Sequence, residues 1–286
     1  NYGGTSDDLG YSVQQTNDGG YIITGSTESL GNGLTDVYLI KTDTNGDSSW
    51  TKTFGGIYED VGYDVQQTTD GGYIITGSPW SGPGRKIYLV KTDTNGVEQW
   101  AKSFGLAGDM GWSVKQTTDG GYIIVGITES SVKVSEAYIL LLKADSIGTE
   151  QWTKTFGALN GVTLGYSVQQ TTEGGYVITG RAGSDVFLLK TDTNGVEQWS
   201  KTFSAGEGWS VQQTTDGGYI IVGGTSPGGG PGDVYLIKTN GNGVEEWNKI
   251  FGGAGTLDEG RSVQQTNDGG YIICGVTSSF GNGMND

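Results

Sequence analysis

Histidine is absent from all 286 residues. That one absence removes Ser-His-Asp and Cys-His nucleophilic machinery, and every His-ligated metal or haem site, so any catalysis would rest on carboxylates, tyrosine or lysine. Cysteine occurs once, at Cys274, which rules out an internal disulfide. Basic residues are scarce: Lys plus Arg number 16 against 32 for Asp plus Glu, a net charge of −16. Affinity for a nucleic acid backbone comes from neutralising phosphates with basic side chains, so no nucleic-acid partner is expected. No run of 18 apolar residues exists, so no membrane-spanning helix is expected. Proline is rare at 4 residues, and no signal peptide is visible. The chain opens in mid-repeat, so its first residue is not expected to be that of the gene product.

Glycine, by contrast, is abundant at 54 residues, and without a collagen period this suits the many tight turns of an all-β chain. The sequence also repeats itself. SVQQTNDGGYIITG ends at Gly25, with close copies ending at Gly77, Gly126, Gly180, Gly223 and Gly275. A second phrase, YLIKTDTNG followed by tryptophan, closes at Trp50, Trp100, Trp152, Trp199 and Trp247. A period of roughly fifty residues marks an array of one supersecondary unit.

Within one copy, β-branched and aromatic runs bounded by Gly, Asn and Asp predict four strands. Strand A covers Tyr11 to Thr16, and the Asp18-Gly19-Gly20 turn leads into strand B, Tyr21 to Thr24. After a loop of varying length comes strand C, Val37 to Thr42. Asn45-Gly46, a pair that accepts the positive φ of a tight hairpin, turns it into strand D, ending near Phe54. YIIT and VYLI are almost continuously apolar, so both sheet faces are expected to be covered. Four short antiparallel strands per period predict a β-propeller of six four-stranded blades, the last incomplete. The blade units are approximately 5–56, 57–105, 106–157, 158–203, 204–253, and 254–286 plus 1–4, in a single domain. A sixth blade would lack the equivalents of residues 37–52, as in a clipped six-bladed ring, although a piece of a longer array would also end somewhere in the period.

The phrase K-T-D-T-N-G-V-E-Q-W, Lys91 to Trp100, resembles the Asp, Gly and Trp spacing of quinoprotein-like propeller repeats, and the resemblance covers nearly the whole chain. It is closest to the repetitive propellers of secreted and cell-surface proteins of bacteria and archaea. The resemblance implies an extracellular or surface location, and a tryptophan docked between neighbouring blades. It does not extend to a quinone enzyme's cofactor site, which needs more blades and its own metal ligands.

Residues that every copy repeats serve the blade, and those that differ are free to serve a site. Lys41 with Asp43, and likewise Lys91 with Asp93, Lys143 with Asp145 and Lys190 with Asp192, are therefore expected to be blade-to-blade ion pairs rather than acid/base catalysts. Asp43-Thr44-Asn45-Gly46-Asp47 hints at calcium. Other copies replace Asp47 with Val97, Ile147, Val196 or Val244, however, so a plain hairpin turn is expected. No cofactor is expected, with calcium left open. Cys274 stands where other copies carry Thr24, Thr76, Val125, Thr179 and Val222, and reads as a small core filler.

Two features vary. Just after the Gly that opens strand A come Tyr11, Tyr63, Trp112, Tyr166, Trp209 and Arg261, which would ring one mouth of the central channel. Two residues before that Gly stand Asp8, Asp60, Asp109, Thr163 and Asp258, with Glu207 and Glu259 close by. Aromatic faces beside carboxylates suit a sugar. A ring of acids would equally suit a cation, and the bland alternative is that the aromatics plug the channel while the acids stay solvated. The loops between strands B and C vary most; the sharpest is SPWSGPGRK, where Trp80 and Arg85 offer a contact pair or a Trp folded over the blade edge. The expected function is a non-catalytic binding or scaffold propeller whose partner is a glycan or protein at the loop-rich face. The alternatives are a secreted glycoside hydrolase or lyase using carboxylates at the channel mouth, and a purely structural spacer.

Overall fold

The computed structural model describes residues 2–79, 84–129, 136–157, 161–225, 232–253 and 257–280. They form 22 strands in six consecutive propeller blades, five of four antiparallel strands and a sixth of two. The first blade comprises β1 (Asp8–Gln15), β2 (Tyr21–Thr27), β3 (Asp36–Thr42) and β4 (Ser48–Phe54). The second has β5 (Asp60–Gln67), β6 (Tyr73–Pro79), β7 (Ile87–Thr92) and β8 (Glu98–Phe104), and the third β9 (Met110–Gln116), β10 (Tyr122–Glu129), β11 (Ala137–Ala144) and β12 (Glu150–Phe156). Then come β13 (Thr163–Gln170), β14 (Tyr176–Ala182), β15 (Asp185–Thr191) and β16 (Glu197–Phe203). The fifth blade is β17 (Glu207–Gln213), β18 (Tyr219–Gly224), β19 (Val234–Thr239) and β20 (Glu245–Phe251), and the sixth β21 (Asp258–Gln265) and β22 (Tyr271–Thr277). Two compact units result. One spans residues 1–129 and 140–155, the other residues 130–139 and 156–286.

Strands B and C of the four-stranded blades are covered on both faces, as their unbroken apolar runs require: every residue of β3 and β6 is buried. Strand A starts earlier than its β-branched run suggests, because Asp8 and Leu9 already pair with Thr27 and Ser26. Within each unit the tryptophan that closes a repeat reaches the next blade. In the first unit Trp50 lies edge-on to Tyr73 at 5.8 Å and Trp100 to Tyr122 at 5.8 Å. In the second, Trp199 meets Tyr219 and Trp247 meets Tyr271, both at 5.9 Å. The receiving tyrosines Tyr73, Tyr122 and Tyr219 are at most 2% exposed, so each junction removes a large aromatic surface from water.

The repeated Gln-Gln pair explains itself in the same way. Within the first unit Gln14 Oε1 accepts from Gln67 N at 2.7 Å, and Gln66 Oε1 from Gln116 N at 2.6 Å. In the second unit Gln169 serves Gln213, and Gln212 serves Gln265, both at 2.6 Å. Side-chain amides thus pair backbone N–H groups that no strand reaches, which would otherwise be costly to bury.

The ion pairs differ from the sequence expectation. Lys41 does not pair with Asp43 across blades; its Nζ meets Asp18 at 2.8 Å, within its own blade. Lys91 does the same with Asp70, Lys143 with Asp119 and Lys238 with Asp216, each at 2.9 Å, and Lys190 with Glu173 at 3.4 Å. Asp43 lies past the strand end, where its Oδ1 accepts from the turn amides of Asn45 and Asp47, so it is held in the hairpin. The ammonium is thus tied to the A–B turn while its stem is buried in the sheet.

Acid should therefore loosen the five four-stranded blades together. Lys41 and then Thr16 hold the Asp18 carboxyl down to about 2. At Asp119 desolvation pushes upward, but Thr117 and Lys143 outweigh it and bring the group to about 2. A folded value below the unfolded one stabilises the fold above the unfolded carboxylate value near about 4, and that contribution disappears as pH falls towards 2. Near-UV circular dichroism should hold from neutrality to about pH 4 and collapse below it. A midpoint above pH 5 would contradict the assignment.

Candidate functional site

The site begins with a β-bulge. In each blade the A–B register slips by one residue after the Gly that opens strand A: Gly10 faces Gly25 while Ser12 faces Thr24, leaving Tyr11 unopposed. Tyr63, Trp112, Tyr166, Trp209 and Arg261 are the skipped residues of their own blades. A bulge bends its strand and re-aims the extra side chain, so one backbone device presents all six varying residues.

In the first unit the bulged residues form an aromatic ladder. Tyr11 and Tyr63 meet edge-on at 5.6 Å, and Tyr63 and Trp112 lie tilted at 4.5 Å. Arg85 stands beside it, with a guanidinium nitrogen 3.6 Å from Met110 Sδ and another 3.8 Å from Glu59. Burial raises the Tyr63 hydroxyl, and the Arg85 charge opposes that shift. Trp80 lies outside the described residues.

The second unit carries a more polar version. Tyr166 and Trp209 stack at 4.1 Å, and the Arg261 guanidinium caps the Trp209 ring at 4.2 Å. Beneath them lie two buried carboxylates, Glu207 at 3% and Glu259 at 4% exposure. Trp209 Nε1 donates to Glu259 Oε1, and Arg261 bonds Glu259 Oε2 at 2.6 Å. The Tyr166 hydroxyl donates to Glu207 at 3.4 Å; burial first and then the Glu207 charge push its titration upward. Each ring therefore reaches the acid of the following blade. Charged hydrogen bonds out of water fix the ring planes more tightly than packing alone would.

The aspartates before strand A play a different part. Asp8 accepts from Gly4 N at 2.8 Å, Ser29 Oγ at 2.8 Å and Thr27 Oγ1. Asp60 accepts from Gly56 N at 2.7 Å and Asp109 from Leu106 N at 2.8 Å. Asp258 accepts from Gly253 N at 3.1 Å and from the hydroxyls of Thr277 and Ser279. Asp60, Asp109 and Asp258 are at most 3% exposed, so these carboxylates brace the loop entering strand A.

Glu207 and Glu259 were near the sequence's candidates but not among them. The available signal was positional. The residue immediately before the Gly of strand A is Leu9, Val61, Met110 or Leu164 in four copies and acidic only in the last two. A second departure is Asp64, where other copies carry Ser: it accepts from Ser12 Oγ at 2.9 Å, Ser113 Oγ at 3.0 Å and Lys115 Nζ at 2.7 Å. Among the described residues, no group of three or more Asp, Glu, Cys or His side chains is gathered to hold a metal ion.

The bulge-borne ladder on a repeated blade defines the class: an all-β propeller whose blades are near-copies and whose bulge position varies among Tyr, Trp and Arg. No protein-family model and no curated protein matches the chain. Solved structures do. A protein of unknown function from Dyadobacter fermentans superposes with a TM-score of 0.60 at 12% identity, covering 85% of this chain and 83% of that one. One of unknown function from Bacteroides caccae gives 0.57 at 13% identity over 87% and 81%. Sqt1 of Chaetomium thermophilum, bound to the N-terminus of the ribosomal protein L10, gives 0.54 at 12% identity over 94% and 82%. At such identities the likeness concerns the fold.

Proposed function

We propose that this protein is a non-catalytic binding propeller of the quinoprotein-like, extracellular or cell-surface kind, and that it holds an extended segment of a partner protein against Tyr166, Trp209 and Arg261. The observation that carries this is the Tyr166–Trp209–Arg261 ladder seated on Glu207 and Glu259, in the two copies whose residue before the Gly of strand A is acidic. Tyr, Trp and Arg are the residues enriched at protein-binding hot spots. Both oxygens of Glu259 are engaged by Trp209 and Arg261, so this acid supports the binding surface rather than serving as a proton donor or nucleophile. The fold neighbour Sqt1 in complex with a protein N-terminus lends the same reading support. A glycan stacked on the same rings is the second reading, since aromatic faces also suit sugars.

Selection from a displayed peptide library, run beside a glycan array, separates the two. A peptide ligand is expected, and Trp209→Ala should weaken it by about thirtyfold, the effect of a lost hot spot near 2 kcal/mol. Glycan signal without peptide enrichment transfers the site to sugars. A selected ligand indifferent to Trp209→Ala overturns the site altogether.

A further inference from the structure

Arginine is used sparingly and to one end. The chain has three, Arg85, Arg181 and Arg261, and each acts on a bulge-borne ring of its own unit. Arg85 reaches the Tyr63 hydroxyl through its charge and a side-chain hydrogen bond, and Arg261 caps Trp209 at 4.2 Å. Both also meet a glutamate, Glu59 at 3.8 Å and Glu259 at 2.6 Å. Arg181 differs. Its Nε is buried and finds no hydrogen-bond partner among the described residues. Such an orphan is costly, more so on a charged group, and calls for a reason.

The blade supplies none. The other copies carry Ser26, Ser78, Ile127, Gly224 and Val276 at this position, so the repeat does not need arginine there. In β14 Arg181 follows Gly180, which faces Gly165 at the root of the bulge, and it pairs with Leu164 across the sheet. Gly224 holds the same register in the fifth blade, opposite Glu207, and a Cβ built on it would lie 3.3 Å from Glu259 Cγ. The position thus opens towards the acid of the following blade, which for Arg181 is Glu207 beneath Tyr166. Burial and then the Glu207 charge push the Tyr166 hydroxyl up, and the Arg181 charge opposes them, as a guanidinium close by would. The acids of the ladder are already committed, Glu259 to Trp209 and Arg261, and Glu207 to Tyr166.

We propose that Arg181 is the specificity residue of this site and takes an Asp or Glu side chain of the partner segment laid along Tyr166 and Trp209, an inference that rests on the reading of the ladder as a peptide-binding surface. Arg181 as a whole is only half-buried, so part of the side chain remains open to a ligand. A planar guanidinium offers a carboxylate two parallel N–H donors, so it selects an acid over its amide. The net charge of −16 alone would favour a basic segment. Fields of exposed charges fade within about 8 Å at physiological salt, however, so the donor in contact decides.

The test uses the whole chain and short peptides displayed through their C-termini, so that no free terminal carboxylate competes. Selected peptides are expected to carry Asp or Glu beside an aromatic residue. Replacing that acid by its amide should weaken binding about tenfold, the effect of one charge-assisted hydrogen bond. With Arg181→Ser, the residue that the first two blades carry there, the acid and amide peptides should bind within about twofold of each other. A merely structural role would not move that double-mutant cycle, and Arg181→Ser should also keep its thermal midpoint, since it removes an orphaned donor. A peptide weakened by Trp209→Ala whose acid preference survives Arg181→Ser refutes the role of Arg181 and leaves the reading of the ladder standing, as do selected peptides without acid enrichment. A peptide indifferent to Trp209→Ala, or no peptide at all, refutes both. A lowered midpoint for Arg181→Ser assigns the side chain to the blade and overturns the proposal.

Discussion

Replacing Gly223 with alanine should lower the stability of the second unit by roughly 3–5 kcal/mol, far beyond the usual cost of one methyl group. A Cβ built there would lie 1.7 Å from the Glu207 carbonyl oxygen, 2.8 Å from its carbon and 3.0 Å from the Gly208 Cα. All three atoms are backbone, so relief requires β17 and β18 to part at the bulge that carries Trp209. The same approach recurs at Gly25, Gly77, Gly126, Gly180 and Gly275, which is why every copy of the phrase ends in glycine. Gly56 is the control, because a Cβ there meets nothing within 4 Å. Gly56→Ala should stay within about 0.5 kcal/mol of the parent in urea unfolding. Indistinguishable midpoints for the two variants would refute the close-approach argument, and with it the account of how the bulge is held.

Tyr122→Ala should cost about 3–5 kcal/mol, the range for a large buried aromatic, and should show as an earlier thermal transition of the first unit. Tyr122 is 1% exposed, lies edge-on to Trp100, and packs among Ile74, Ile87, Leu89, Val114 and Leu140. It therefore belongs to two blades at once. Its hydroxyl titrates high, about 12, chiefly because of burial. Tyr122→Phe keeps the ring and should cost less than about 1.5 kcal/mol. If Phe proves as damaging as Ala, the hydroxyl and not the Trp–Tyr junction holds these blades together.

Much of the architecture was legible because it is written six times. The strand phrases and the Asn-Gly hairpins needed only local rules, since turn chemistry and apolar runs act over a few residues, whereas the inter-blade tryptophan was implied by the resemblance to quinoprotein-like repeats. The partner of Lys41 was not legible. Asp43 is two residues away and Asp18 twenty-three, yet the sheet folds the distant one against the ammonium and leaves the near one in its turn. Cys274, read as a core filler, is exposed for the complementary reason: strand C covers that position in the other copies, and among the described residues no strand C pairs with β22.

The varying aromatic position was visible as a column of Tyr, Trp and Arg, but its bulge was not. The acids were sorted only by the fold, since Asp60 and Asp109 brace loops while Glu207 and Glu259 lie under the ladder. The sequence by itself determined the strands, the repeat and the blade, because those depend on period, propensity and glycine where no Cβ fits. Tertiary structure alone decided which charges meet and which rings stack, because those depend on segments distant in the chain being packed side by side.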